Sequence, residues 1–300
     1  DSMIEELRTF IAVVEYENFT KAGEILHLSQ PSVSVHIKNL EKQFNTDLIS
    51  RSVKQKNIVI TESGRVLYKR AKEIIKILED TKNEVENISN VVNGHLRIGA
   101  SYTIGEYFLP AFLGYFVKKY PDVKIELIID NTRKICEKVK HFKVDIGLIE
   151  GNLTSFEFEQ EHFLRDNLVL MLPNEYEHIR ATKDYSCLQN LNWVTREVGS
   201  ATRESLNMFL NANKIVPKGI ITLGSSFAVK EAVKNDLGIT LISDFVVKHE
   251  VEFDKSISII ELDDIYKRYF SYILPKKIKY SNAVAAFKEE LSKNATSFKR

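Results

Sequence analysis

The chain has 300 residues, with 42 Lys and Arg against 41 Asp and Glu and a formal net charge of +1. That length supports two or three domains with sizeable cores, and 44% hydrophobic against 28% charged residues excludes a disordered chain. Two cysteines, Cys136 and Cys187, with no CxxC pair exclude a disulfide scaffold and cysteine-ligated zinc. No apolar run approaches membrane-spanning length and no signal-peptide pattern opens the chain, so a cytoplasmic protein with no membrane partner is expected. Asp1-Ser2 ahead of Met3 reads as an added remnant, with Met3 as the native start.

Charge divides the chain locally. Residues 1–29 carry two basic against six acidic side chains, whereas residues 30–72 carry nine basic against three acidic. A neutral protein with such a basic block has a place for a polyanion, although a solvated face would look the same by charge alone. Spacing decides between them.

Leu7, Phe10, Ile11 and Val14 recur at i, i+3, i+4 and i+7, one apolar stripe on a first helix. Thr20 is expected to cap a short second helix carrying Ala22, Ile25 and Leu26. After the turn 27–29, Ser29 caps a third helix with Pro31 in its first turn, where a missing N–H costs nothing. In that helix Val33, Ile37 and Leu40 face a core, while Pro31, Ser34 and Lys38 share another face, with Gln30 and Ser32 at its exposed start. This is helix-turn-helix geometry, in which the last helix offers its first turns to the major groove. Gln30 suits an adenine edge, the serines are adaptable donors, and Lys38 suits phosphate. Strands over 47–51 and 57–61 around a polar turn predict a wing that carries Arg51, Lys54 and Lys56 to the backbone or minor groove.

Residues 10–64 resemble the amino-terminal domain of LysR-type transcriptional regulators. The matching runs are Phe10 and Val13; Phe19, Thr20 and Ala22; Leu26 to Ser34; Ile37 to Glu41; and Thr61 to Gly64. Three departures are visible: Gly23 for a usual alanine, Asn45 for a turn glycine, and Ile49 for the phenylalanine before the wing arginine. The resemblance implies that Gln30, Pro31, Ser32, Ser34, Lys38 and Arg51 contact double-stranded promoter DNA, and the expected contact set also includes Thr20 and the wing residue Lys54.

Leu67, Ala71, Ile74, Leu78, Thr81, Val85, Ile88 and Val92 alternate spacings of four and three, an a/d seam on a helix capped by Thr61 and ending near Asn93-Gly94. So narrow a stripe predicts a paired linker helix rather than one lying on its own domain. A two-fold dimer with two reading heads binds an inverted repeat; the family also forms tetramers. The expected domains are a winged helix-turn-helix at 3–61, a linker helix at 62–93 and an effector-binding domain at 94–300.

Beyond Gly94 the pattern alternates strands (96–100, 123–129, 144–149, 168–172, 220–223, 239–241, 257–261, 270–274) with helices (105–119, 131–140, 202–211, 226–235, 281–292). Such alternation predicts an α/β fold with parallel sheets and a ligand at the carboxyl ends of the strands. The family resemblance implies a two-lobed, periplasmic-binding-protein-like domain, with lobe I at about 94–165 and 267–300 and lobe II at about 166–266. Its crossings would lie near 164–167 and 262–272.

Three segments join a strand end to a helix start: Ser101, Tyr102 and Thr103; the run 196–203, with Arg196, Gly199, Ser200, Thr202 and Arg203; and Ser225 with Ser226. Hydroxyls beside free helix N–H groups favour an anion, and two arginines would add bidentate forks. Each residue taken singly is equally an ordinary cap or a solvated arginine. Asn131 and Glu150 are candidates for the rim. The 196–203 run also resembles the branch of the family that regulates sulfur or cysteine metabolism, which implies a small oxyanion effector such as sulfite or sulfate.

No GxSxG, HExxH or P-loop occurs, and the seven histidines lack ligand spacing, so neither an enzyme nor a cofactor is expected. The expected function is a ligand-responsive transcription factor whose effector changes the spacing of its heads and its recruitment of RNA polymerase. The rival is a constitutive DNA-binding repressor whose C-terminal domain serves only oligomerisation.

Overall fold

The computed structural model describes residues 2–50, 58–86, 91–151, 153, 157–276 and 278–299. It divides into two compact units, Asp1–Ile88 and Ser89–Arg300.

In the first unit α1 (Met3–Tyr16), α2 (Phe19–Leu26) and α3 (Gln30–Phe44) surround Phe10, Val13, Ala22, Val33, Ile37 and Leu40. The second helix starts one residue before Thr20: Asn18 caps it, accepting from Lys21 N at 3.0 Å, and Thr20 lies exposed within its first turn. Ile25 is exposed, and α2 buries only Ala22 and Gly23. A Cβ on Gly23 would stand 2.6 Å from Leu28 O, so the tight turn into α3 requires the missing side chain. Asn45 adopts the left-handed conformation (φ 50°) as the C-cap of α3, which an asparagine tolerates.

Strands β1 (Ile49–Ser50) and β2 (Val59–Ile60) pair antiparallel at the base of the wing. Arg51, Lys54 and Lys56, expected on a wing, and Ile88 of the expected heptad lie outside the described residues. Thr61 caps α4 (Glu62–Glu86), accepting from Gly64 N at 2.9 Å while donating to Asp47 O at 2.7 Å. The heptad divides along α4. Leu67 and Ala71 are buried in the unit's own core, whereas Ile74, Leu78 and Val85 are exposed together with Ile77. Its first heptad thus serves the head, where α4 packs on α1.

The second unit runs β3 (Gly94–Ala100), α5 (Tyr102–Tyr107), α6 (Leu109–Lys119), β4 (Val123–Ile129), α7 (Thr132–Lys140), β5 (Ile146–Glu150), β6 (Phe158–Asp166) and β7 (Leu168–Pro173). It continues through α8 (Ile179–Thr182), β8 (Asn192–Arg196), α9 (Ala201–Ala212), β9 (Gly219–Leu223), α10 (Ser226–Lys234), β10 (Thr240–Ser243), α11 (Asp244–Val247), α12 (Glu250–Phe253), β11 (Ile257–Glu261), β12 (Arg268–Pro275) and α13 (Asn282–Asn294).

Two lobes result. Lobe I has the strand order β4-β3-β5-β12-β6, and lobe II combines β10-β7-β11 with the β8-β9 pair, joined by a Trp193–Ile239 bridge. The sheets are mixed rather than parallel: β3, β4 and β5 run parallel, as do β8 and β9, but β12 is antiparallel to β5 and β6, and β7 to its neighbours. The crossing segments impose this, since a chain that leaves one lobe and returns must enter each sheet against its direction. The single helix expected at 105–119 is two, α5 and α6, broken at Phe108. Strands β6 and β8 had no counterpart in the periodicity; β6 is too polar on one face, and nothing in the structure explains why β8 has none.

Lobe I is cored by Phe108, Phe112, Phe116, Phe270 and Phe287, a chain of rings 5.2–6.2 Å apart. Lobe II buries Trp193, Phe209 and Leu241 on one face of its sheet and Val194, Val229 and Ile242 on the other. Both cores leave the carboxyl ends of β3, β5 and β8 facing the crevice between the lobes, where ligands of open α/β sheets bind.

Candidate functional site

The first candidate surface is the solvent face of α3. Gln30, Pro31 and Lys38 are exposed and Ser32 and Ser34 lie beside them, with Gln30 Nε2 donating to Ser34 Oγ at 3.1 Å and Ser32 Oγ 2.8 Å from Ser29 Oγ. The opposite side is anchored. His36 Nδ1 meets Thr9 Oγ1 at 2.8 Å, and the buried Glu6 carboxylate accepts from Asn39 at 2.8 Å and Gln43 at 3.0 Å. Glu41 accepts from Leu48 N at 3.0 Å and Ile49 N at 3.2 Å, which ties the base of the wing to the same helix. A helix held by these polar contacts presents its outer side chains with little freedom, as base reading requires.

The second candidate is the crevice between the lobes of the second unit. Ser101 sits where β3 ends, and its Oγ is fully buried with no hydrogen-bond partner. Thr103 is buried beside it on α5. From lobe II the Arg196 guanidinium lies 4.2 Å from the Tyr102 ring centroid and donates to Ser226 Oγ at 3.3 Å. Asn131 caps α7 and donates to Glu197 Oε1 at 3.2 Å, and Arg133 N donates to Gly199 O at 3.1 Å. Gly199 holds φ +100°, which a side chain rarely adopts, and this exposes its carbonyl to lobe I. The segment 196–203 therefore touches lobe I at several points.

Arg196 offers no free fork, whereas Arg203 keeps a buried Nε without a hydrogen-bond partner. Arg196 is spent on Glu197, Nε and Nη2 each donating at 2.9 Å. Burial raises the Glu197 carboxyl, but the Arg196 guanidinium outweighs it and holds the group below the usual carboxylate range. Arg203 donates to Arg196 O at 2.9 Å and to Thr222 Oγ1 at 3.4 Å. Ser200 caps α9 and Ser225 caps α10, accepting from Arg203 N at 3.4 Å and Ala228 N at 3.0 Å. The buried Glu150 accepts from Thr132 Oγ1 at 3.3 Å and lines, with Thr132, Ala201 and Arg268, a cavity of about 350 Å3.

The hidden strand-end charges are the residues that periodicity missed. Asp166, wholly buried at the end of β6, accepts from Arg268 Nε at 2.7 Å and from Ser243 Oγ at 2.5 Å. Arg268 also donates to Thr202 Oγ1 at 3.2 Å. Burial pushes the Asp166 carboxyl up to about 6, Arg268 and Ser243 working against it. The signal available was that both expected crossings carry charged residues, Arg165 and Asp166 in one and Asp263, Asp264, Lys267 and Arg268 in the other. Glu106 on α5 was also missed; burial raises its carboxyl, and Arg196 and Lys230 lower it.

Among the described residues no group of three or more His, Cys, Asp or Glu side chains is placed to hold a metal. Cys136 is half-buried, with its thiol pushed up to about 11 by burial, and Cys187 is exposed; both are free.

Two family models match this chain. Residues 4–65 match the bacterial regulatory helix-turn-helix protein of the lysR family, and residues 89–296 match the LysR substrate binding domain. The chain belongs to the LysR family of transcriptional regulators. It is 44% identical over 270 residues to the HTH-type transcriptional regulator CysL of Bacillus subtilis (strain 168), covering 89% of each chain. Among solved structures it is similar in fold to a full-length OxyR from Pseudomonas aeruginosa that carries a cysteine-to-aspartate substitution, with TM-score 0.70, 17% identity and 97% of each chain covered. It also resembles the fold of CbnR complexed with its target DNA, with TM-score 0.64, 17% identity and 96% of this chain and 98% of that one covered.

This LysR regulator is thus a DNA-binding transcriptional regulator with a substrate-binding domain, and not an enzyme. In the LysR frame α3 is the second helix of the helix-turn-helix, and the crevice belongs to the substrate-binding domain. No helix among the described residues is long and apolar enough to cross a membrane.

Proposed function

We propose that the regulator works as a homodimer or homotetramer that holds an inverted repeat of promoter DNA, and that a small anionic effector in the interlobe crevice sets its activity. Gln30, Pro31, Ser32, Ser34 and Lys38, with Thr20 at the rim and with Arg51 and Lys54 as the sequence suggests, form the DNA-contacting set. The exposed apolar row Ile74, Ile77, Leu78 and Val85 on α4 supports pairing of that helix with a second copy.

The observation that carries the effector reading is Ser101. A buried hydroxyl without a partner costs about 1–3 kcal/mol, which a ligand oxygen would recover. Because Arg196 and Arg268 are neutralised by Glu197 and Asp166, the anion is held mainly by hydroxyls and helix N–H groups, with Arg203, whose buried Nε has no partner, as a remaining cationic donor. That favours a compact oxyanion such as sulfite or sulfate, in keeping with the sulfur-branch likeness of the 196–203 run and with the 44% identity to CysL. Ser101, Tyr102, Thr103, Thr202 and Ser226 would contact it, with Asn131, Glu150, Arg196, Gly199, Ser200, Arg203 and Ser225 positioning them. Since 196–203 also touches lobe I, an effector there favours one lobe arrangement and so changes head spacing and RNA polymerase recruitment.

Thermal unfolding against a panel of small anions and carboxylates tests this. A ligand at about 100 times its dissociation constant stabilises the native state by roughly 2.7 kcal/mol. The shift should vanish in Thr202→Ala. No shift across the panel would move the reading to a constitutive repressor whose second unit serves only oligomerisation.

A further inference from the structure

The solvent face of α3 carries one side chain that neither the expected contact set nor the helix packing explains. Val35 is 50% exposed. At about 100° per residue, Pro31, Val35, Lys38 and Lys42 fall within about 60° of one another, opposite the buried stripe of Val33, Ile37 and Leu40. Pro31 and Lys38 are likewise exposed. Val35 therefore stands near the middle of the groove-facing surface, one turn from Pro31 and flanked by the hydroxyl of Ser34 and the ammonium of Lys38. A lone exposed valine needs no explanation on an ordinary surface. Here the position matters: a β-branched residue lowers helix propensity and gains little from burial in the free protein.

We infer that Val35 is a specificity-determining residue that reads the C5-methyl group of a thymine in the major groove. This deepens the DNA-contacting assignment above and rests on it. The major-groove edge of thymine is the one that offers an apolar group, and an aliphatic side chain is its complement. Gln30 and Ser34, already hydrogen-bonded to each other at 3.1 Å, supply polar readout on one flank, and Lys38 and Lys42 supply phosphate contacts. Val35 sits between them as the apolar element of the same surface. Its two methyl groups are held by the restricted χ1 of a helical valine, so the contact costs little side-chain entropy.

The test begins with the full-length protein selecting sites from a random duplex pool. Each thymine of the selected half-site is then replaced singly by deoxyuridine, which removes only the methyl group. At one thymine per half-site the wild type should lose roughly three- to four-fold in affinity, the worth of one buried methyl. Val35→Ala should bind the thymine and uracil duplexes equally at that position and keep the wild-type response to every other replacement. Val35→Ile, which retains the branched apolar surface, should keep the thymine preference and guards against a folding defect in the alanine variant. If no thymine methyl matters to the wild type, or if Val35→Ala keeps the same thymine-to-uracil ratio, the Val35 assignment is overturned while the DNA-contacting role of α3 stands. A wild type that selects no sequence at all would overturn both.

Discussion

Arg268 and Asp166 face each other across the paired strands β12 and β6, Nε to Oδ2 at 2.7 Å, with neither side chain more than 7% exposed. They stand where the chain crosses between lobes, and each also reaches into lobe II: Asp166 accepts from Ser243 on β10, and Arg268 donates to Thr202 on α9. The ion pair thus couples the crossing strands to the N-terminal end of α9.

Arg268→Ala leaves the Asp166 carboxylate buried without its cation. Breaking a pair of this kind from one side costs about 3–5 kcal/mol. Chemical denaturation should show that loss, and Arg268→Ala combined with Asp166→Ala should recover part of it. A single variant as stable as the wild type would refute the coupling.

The carboxyl of Asp166 is raised to about 6 from 3.8, so the folded state holds its proton more tightly than the unfolded chain. Its contribution to stability is full below about pH 4 and falls as pH rises through about 6. The stability of the wild type relative to Asp166→Asn should therefore decline between about pH 4 and about pH 7, measured by thermal unfolding in matched buffers. A difference independent of pH would show that Arg268 keeps the carboxylate ionised throughout.

Lys38 is exposed on α3, in line with a phosphate contact. Lys38→Ala should weaken binding to all sequences alike and lower the slope of log affinity against log salt by about 0.9. Titrations at several salt concentrations measure both; an unchanged slope would move the phosphate contact elsewhere.

Leu78, 43% exposed on α4, belongs to the apolar row proposed to pair two copies. Leu78→Asp should yield monomers in sedimentation at micromolar concentration with the second unit still folded. A dimer of undiminished strength would place the interface off this helix.

Gly23→Ala tests the turn between α2 and α3. Helix propensity alone favours alanine by about 1 kcal/mol. The added Cβ would meet the backbone oxygen of Leu28 at 2.6 Å, and relieving that contact should make the variant less stable by about 1–3 kcal/mol. A more stable variant would mean that the turn relaxes freely.

The local patterns were legible because short-range physics writes them. The Val33, Ile37 and Leu40 stripe, the Ser29 cap and Pro31 fix the direction of α3, and its outer face follows from the 3.6-residue period. Asn45 announced its left-handed cap in the same way. The alternation of strands and helices after Gly94 likewise foretold an α/β domain.

What depends on residues far apart in the chain could not be read in this way. The heptad on α4 looks uniform, yet its first turns are taken by the head's own core, since burial depends on which neighbours arrive. Strand direction in the two sheets was set by the crossing of the chain between lobes, and periodicity carries no direction. The charge of the crevice was decided largely the same way: Arg196 is paired with its own sequence neighbour Glu197, but Arg268 meets Asp166 from 102 residues away. Sequence supplied the donors; only the tertiary contacts determined which of them were already spent, because an electrostatic partner is chosen by distance in space and not along the chain.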